Sequence, residues 1–211
     1  MVENTLKVNE EFARLAGDEQ IERTARALEA NNIHTLIVDT GEAAKRLVLE
    51  MLPKGAEVHQ GASVTLQTIG VKDVIEKSGD YIAVRPKMFA MDRKTQADEM
   101  RALGARPAYM LGSVHAVTEA GHVLVASKTG SQLGPYASGA GKVIWVVGAQ
   151  KLVKDFDEGL RRIREYNFPL EDVQSHQLYG VGTEINKILI INKEIRPDRI
   201  TMIIVREKLG F

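Results

Sequence analysis

Short β-branched runs alternate with segments of helical periodicity, and that alternation limits the fold more than any other feature of the chain. Ile33–Val38 (IHTLIV), Glu57–Gln60, 108–111 and the strongest run, VIWVV at 143–147, read as buried strands. Residues 9–31 read as helix, with Phe12, Leu15, Ile21, Ala25 and Leu28 at helical spacing and charges between them. Gly17-Asp18 divides that stretch and offers Asp18 as N-cap of the second part, and Asn31-Asn32 ends it. Helices also fit 42–52, stopped by Pro53-Lys54-Gly55, a stretch from Gly61 through Ile75, 97–103 with Gly104 after it, and 156–163. Strands that alternate with helices are covered on both faces, so the pattern specifies an α/β fold with a mainly parallel sheet. One unit departs from it: 113–118 and 122–127 flank Glu119-Ala120-Gly121 and read as an antiparallel hairpin. Strands at 188–191 and Ile200–Val205 close the pattern. With no long linker or repeat, 1–211 reads as one domain with a helical amino-terminal lobe at 1–31.

Composition removes several functions. The 28 Lys and Arg balance 28 Asp and Glu, which argues against nucleic acid or an anionic membrane as partner, since both call for a basic excess. There is no cysteine, hence no disulfide, thiolate nucleophile, zinc–thiolate site or cysteine-ligated iron–sulfur cluster from these residues. No apolar run approaches the roughly 18 residues that span a bilayer. The amino terminus lacks a signal peptide's hydrophobic stretch, so a cytoplasmic location without membrane insertion is expected.

Chemistry-bearing residues gather in three glycine-containing segments. In the first, Gly61, Ser63 and Thr65 stand between a strand and a helix, where a serine caps the helix or free amides hold an anion. The second holds Gly112, Ser113 and His115 and runs to Glu119. That carboxylate is a candidate base or nucleophile, against the alternative of a solvated turn residue. The third holds Lys128, Gly130, Ser131 and Gln132. None matches a phosphate-loop or dinucleotide fingerprint. His115 and His122 flank one turn, and whether they share a sheet face depends on the hairpin register; in neither register do they form a two-residue chelate. No metal site is assigned. The expected ligand is a small anionic metabolite, held by Ser63, Thr65, Lys128, Ser131 and Gln132.

The combination of GASVTLQTIG at 61–70, SVHAVTEAGHVLVASKTGSQLGPYA at 113–137, KVIWVVGAQKLV at 142–153 and NKILIINKEIRPDRITMIIVREKLGF at 186–211 resembles the LUD (lactate-utilisation) domain family. The resemblance implies a Rossmann-like sheet of the sugar-phosphate isomerase and CoA-transferase type. It further implies a place in organic-acid metabolism beside iron–sulfur partner proteins. Longer members carry cysteine-bearing extensions, and this chain resembles the short, cluster-free type with no intrinsic cofactor. The expected role is an accessory or anion-binding subunit of an oxidoreductase system. The alternatives are a stand-alone enzyme acting on a phosphorylated or carboxylated metabolite or a CoA ester, and a structural domain that forms homo-oligomers.

Overall fold

Two sheets of different character share one core in the computed structural model, which describes residues 6–211. The larger is six-stranded and parallel throughout, in the order β1-β10-β7-β4-β2-β3. Its strands are β1 (Ile33–Val38), β2 (Glu57–Gln60), β3 (Ile82–Ala83), β4 (Tyr109–Gly112), β7 (Lys142–Gly148) and β10 (Ile200–Val205). The smaller has the order β8-β5-β6-β9 and consists of β5 (Ala116–Thr118), β6 (Val123–Ser127), β8 (Leu152–Val153) and β9 (Lys187–Ile191). The mainly parallel α/β expectation holds. The two late strands, however, belong to different sheets, because β9 extends the hairpin antiparallel to β6 while β10 inserts between β1 and β7.

The continuous apolar runs follow from burial on both faces of the large sheet. Val143, Trp145 and Val147 of β7 join Met202 and Ile204 of β10 on the face toward the small sheet. Ile144, Val146, Ile203 and Val205 point the other way, onto α2 (Gly41–Glu50), α3 (Val64–Thr68) and α4 (Val71–Lys77). β1 is less buried than its composition suggests, since it occupies a sheet edge; His34 there is half-exposed beside Glu29. α7 (Phe156–Arg162) covers the outer face of the hairpin through Phe156 and Leu160.

Several boundaries differ from the sequence reading for local reasons. The stretch 9–31 splits into a 3-10 turn at Glu10–Ala13 and α1 (Asp18–Ala30). Gly17 is the N-cap of α1 and Asp18 its first residue, with the Asp18 carboxylate accepting from Arg206 Nε at 2.9 Å rather than from the helix. Ile21, Ala25 and Leu28 of this helical stretch enter the main core beside Trp145. The expected helix from Gly61 to Ile75 breaks at Gly70, whose φ of +71° carries the chain between α3 and α4. Gly104 lies inside α6 (Ala97–Ala105), facing Met88 of α5 (Val84–Phe89).

The helix behind the hairpin is longer than expected. α7 runs through a π-helical turn at Ile163–Asn167 into α8 (Phe168–Tyr179). Pro169 has no N–H to offer the preceding turn, and the carbonyl of Glu165 is served instead by Asn9 N–H at 2.8 Å. Among the described residues no helix is long and apolar enough to cross a membrane.

Candidate functional site

β2 and β4 are neighbours whose chains leave in opposite directions, β2 toward the edge strand β3 and β4 toward the centre at β7. Such a reversal opens a crevice at the carboxyl ends of the strands, where open α/β sheets bind ligands. A cavity of about 680 Å3 lies there. His59, Gly61, Ser63 and Thr65 reach it from the end of β2, and Ser113 and His115 from the end of β4. Lys151 comes from the segment after β7, and Asn167 and Glu171 from the π-turn and α8.

Lys151 forms the floor. The side chain is 2% exposed, and Nζ donates to Thr65 Oγ1 at 3.2 Å and Ser113 Oγ at 3.0 Å. Thr65 commits its own proton to the carbonyl of Leu209 at 3.1 Å, so it can only accept from the lysine. Gln150 fixes that segment by donating to the same carbonyl at 3.0 Å. Behind the lysine, Arg162 is wholly buried. It donates to the carbonyls of Gln150 (3.2 Å) and His115 and to Asn167 Oδ1 (2.8 Å). Neither side chain is paired with a carboxylate among the described residues. Burial, with Arg162 nearby, holds the Lys151 pKa well below the usual lysine range, and burial brings Arg162 down to about 10.

Both cavity histidines are neutral. Burial, then Lys151 and Arg162, lower His115 to about 3; burial and Arg85 lower His59 to about 4. His115 Nδ1 accepts from Ala126 N–H at 3.1 Å, which assigns the ring proton to Nε2. The Asn167 amide is oriented by Arg162, leaving its buried Nδ2 donor unpartnered. Burial also raises Glu171. Among the described residues no group of three His, Asp or Glu side chains gathers to hold a metal ion.

The structure brings together most of the residues singled out in the sequence. Gly61, Ser63, Thr65, Ser113, His115, Lys128, Ser131 and Gln132 line this one cavity. The Gly61 and Gln132 loops meet, a Cβ on Gly61 falling 3.9 Å from Gln132 Cβ. Ser63 is a helix cap, accepting from Leu66 N–H at 3.3 Å.

Gly112 and Gly130 support the walls without lining them. A Cβ on Gly112 would fall 1.7 Å from the Tyr136 hydroxyl, while Gly130 turns with φ +85° against Lys187. Glu119 lies outside the cavity, 3.4 Å from Arg23 of α1, because the hairpin carries its turn toward α1. Thr118 pairs with His122, so His115 and His122 face opposite ways, and His122 stacks on Phe156 at 4.7 Å.

The sequence reading passed over Lys151, Arg162 and Asn167. For Lys151 a signal exists: Gln150-Lys151 interrupts two apolar runs directly after the central strand, the strand end where α/β clefts lie. Arg162 and Asn167 carry no such mark, since only the π-turn brings them together.

No curated protein matches the chain. Among solved structures, a DUF162 family protein from Deinococcus radiodurans is 13% identical, over 91% of this chain and 99% of that one, with a TM-score of 0.49. The LUD domain model matches residues 21–205, from the first core residue of α1 to the last residue of β10, and the chain belongs to the LUD domain family.

Proposed function

We propose that the cavity binds a small carboxylate-bearing organic acid, and that the protein serves organic-acid metabolism of the lactate-utilisation kind as the anion-binding component of an oxidoreductase system. One observation carries the reading: the buried guanidinium of Arg162 stands behind the Lys151 amine of the cavity floor, and neither has a carboxylate partner among the described residues. Buried charge is normally paired, and an anionic ligand over Lys151 supplies the negative charge that this positive field lacks. The unpartnered Asn167 Nδ2 is a further donor for its oxygens. These 211 residues contain no thiolate for a cluster, so electrons removed from such an acid pass to a partner or to a dissociable cofactor.

Calorimetry and thermal unfolding with lactate, glycolate and pyruvate test this directly. At about 100 times the dissociation constant a ligand stabilises the fold by ~2.7 kcal/mol, a melting shift on the order of 5–10 °C for a chain of this size. Lys151→Met removes the shift and leaves the unliganded melting point within a few degrees, because the substitution takes a buried amine away and keeps the volume. Equal stabilisation of Lys151→Met by these acids, or none of the unaltered chain, sinks the assignment.

A further inference from the structure

We propose that Lys151 is a nucleophile: its Nζ, set between Thr65 and Ser113 on the cavity floor, condenses with the carbonyl of a small 2-oxo acid to form an imine. The inference rests on the carboxylate-binding reading of the same cavity and adds the chemical class of the ligand.

Three observations lead to it. First, the hydrogen bonds fit an amine better than an ammonium. An ammonium has three protons to place, whereas Lys151 has two acceptors, Thr65 Oγ1 and Ser113 Oγ. Thr65 acts only as acceptor, since its proton goes to Leu209. Two N–H bonds to these oxygens leave the lone pair free. Second, the surroundings favour the neutral form: the side chain is buried, no carboxylate among the described residues touches it, and Arg162 adds like charge. A lysine desolvated beside another cation is an activated nucleophile. Third, Lys151 is buried without being sealed, for it lines a cavity large enough for a three-carbon acid. His115, neutral and with its ring proton on Nε2, lines the same space as a hydrogen-bond donor.

The step balances without an oxidant. The Nζ lone pair adds to the carbonyl carbon to give a carbinolamine. Both N–H protons then leave with the carbonyl oxygen as one water, and a C=N bond replaces C=O. A 2-hydroxy acid has no carbonyl to offer and binds without reacting.

Trapping with sodium cyanoborohydride, which reduces the imine to a stable secondary amine, tests the proposal on the full chain. Incubation with pyruvate followed by intact mass and peptide mapping is expected to give one adduct per chain, at Lys151. At pH 7 its rate exceeds that of exposed lysines by at least about tenfold, the gain in free amine for each pKa unit. Lactate gives no adduct and slows trapping by pyruvate. Lys151→Arg gives none either, and the map of the unaltered chain stands even where that variant does not fold. Adducts spread over surface lysines and indifferent to lactate overturn the proposal. So does pyruvate that binds in calorimetry yet never traps, a result that leaves the carboxylate site intact. If neither acid binds, the carboxylate site falls together with the imine.

Discussion

The floor of the cavity and its rim at 127–132 both set hydroxyls beside a lysine, yet their hydrogen bonding differs. On the rim the polar groups satisfy one another. Ser127 Oγ donates to Gln132 Oε1 at 3.0 Å and accepts from Gly130 N–H at 2.8 Å. Gln132 Nε2 returns to the carbonyl of Ala126, and Lys128 Nζ reaches the carbonyl of Gly182 at 2.7 Å. The turn is exposed and free to fold onto itself. On the floor, Thr65 of α3, Ser113 after β4 and Lys151 after β7 meet only through the two N–H bonds of the lysine, and the guanidinium of Arg162 behind them has no carboxylate among the described residues. Similar side chains thus have different chemistry according to whether the backbone lets them satisfy themselves.

Removing the guanidinium that organises the floor has the largest expected effect. Arg162→Met strands three acceptors, the carbonyls of Gln150 and His115 and the Asn167 amide oxygen. At ~1–3 kcal/mol for each unsatisfied buried group, the expected loss is on the order of 4 kcal/mol. Denaturant unfolding reads it as a lower midpoint at unchanged slope. A variant as stable as the parent would mean that desolvation of the cation outweighs everything it holds, and the floor would then owe its shape to packing alone.

A smaller effect comes from acid. His59 titrates at about 4 in the folded chain, against 6.5 for an ordinary histidine. Between those values the unfolded chain binds the proton and the folded chain does not, so stability rises with pH. The contribution is complete above pH 6.5 and is lost as pH falls toward 4. At ~1.4 kcal/mol per unit it amounts to about 3 kcal/mol. His115 acts with the same sign and extends the loss toward pH 3. His59→Gln should flatten the unfolding free energy between pH 6.5 and 4; an unchanged slope there would place the acid sensitivity elsewhere.

How much of this was legible follows from what each feature depends on. The strands β7 and β10 show in the sequence because their apolar runs reflect burial on both faces, a property of the residues themselves. That Ser63 and Ser131 line one cavity was foreseeable only in part, since the end of the parallel strand β2 delivers the first whereas the second follows β6 of the hairpin. The pairing of β9 with the hairpin was not, because Lys187–Ile191 carries nothing that tells one sheet from the other. Lys151 hid behind its type: a lysine in sequence reads as a surface charge, and only the tertiary structure shows it buried. Glu119 misled in the opposite sense. A carboxylate beside a glycine turn draws attention, yet the turn belongs to the end of the hairpin that packs on α1.

The smallest expected effect sharpens the comparison most. Lys128→Ala with Ser131→Ala removes a charge and a hydroxyl from the rim, where both are exposed. Surface substitutions away from special features shift stability by less than about 0.5 kcal/mol, and the unliganded melting point should barely move. The rim lysine still contributes a long-range attraction for an anion, worth little once salt screens it. Binding of lactate should therefore weaken by no more than about threefold in 0.15 M salt, with most of the loss in the association rate. Lys151→Met abolishes binding under the same conditions. If the rim pair instead costs as much as the floor lysine, the ligand sits against 127–132 and the floor is scaffold. The difference between the two walls would then concern stability rather than recognition.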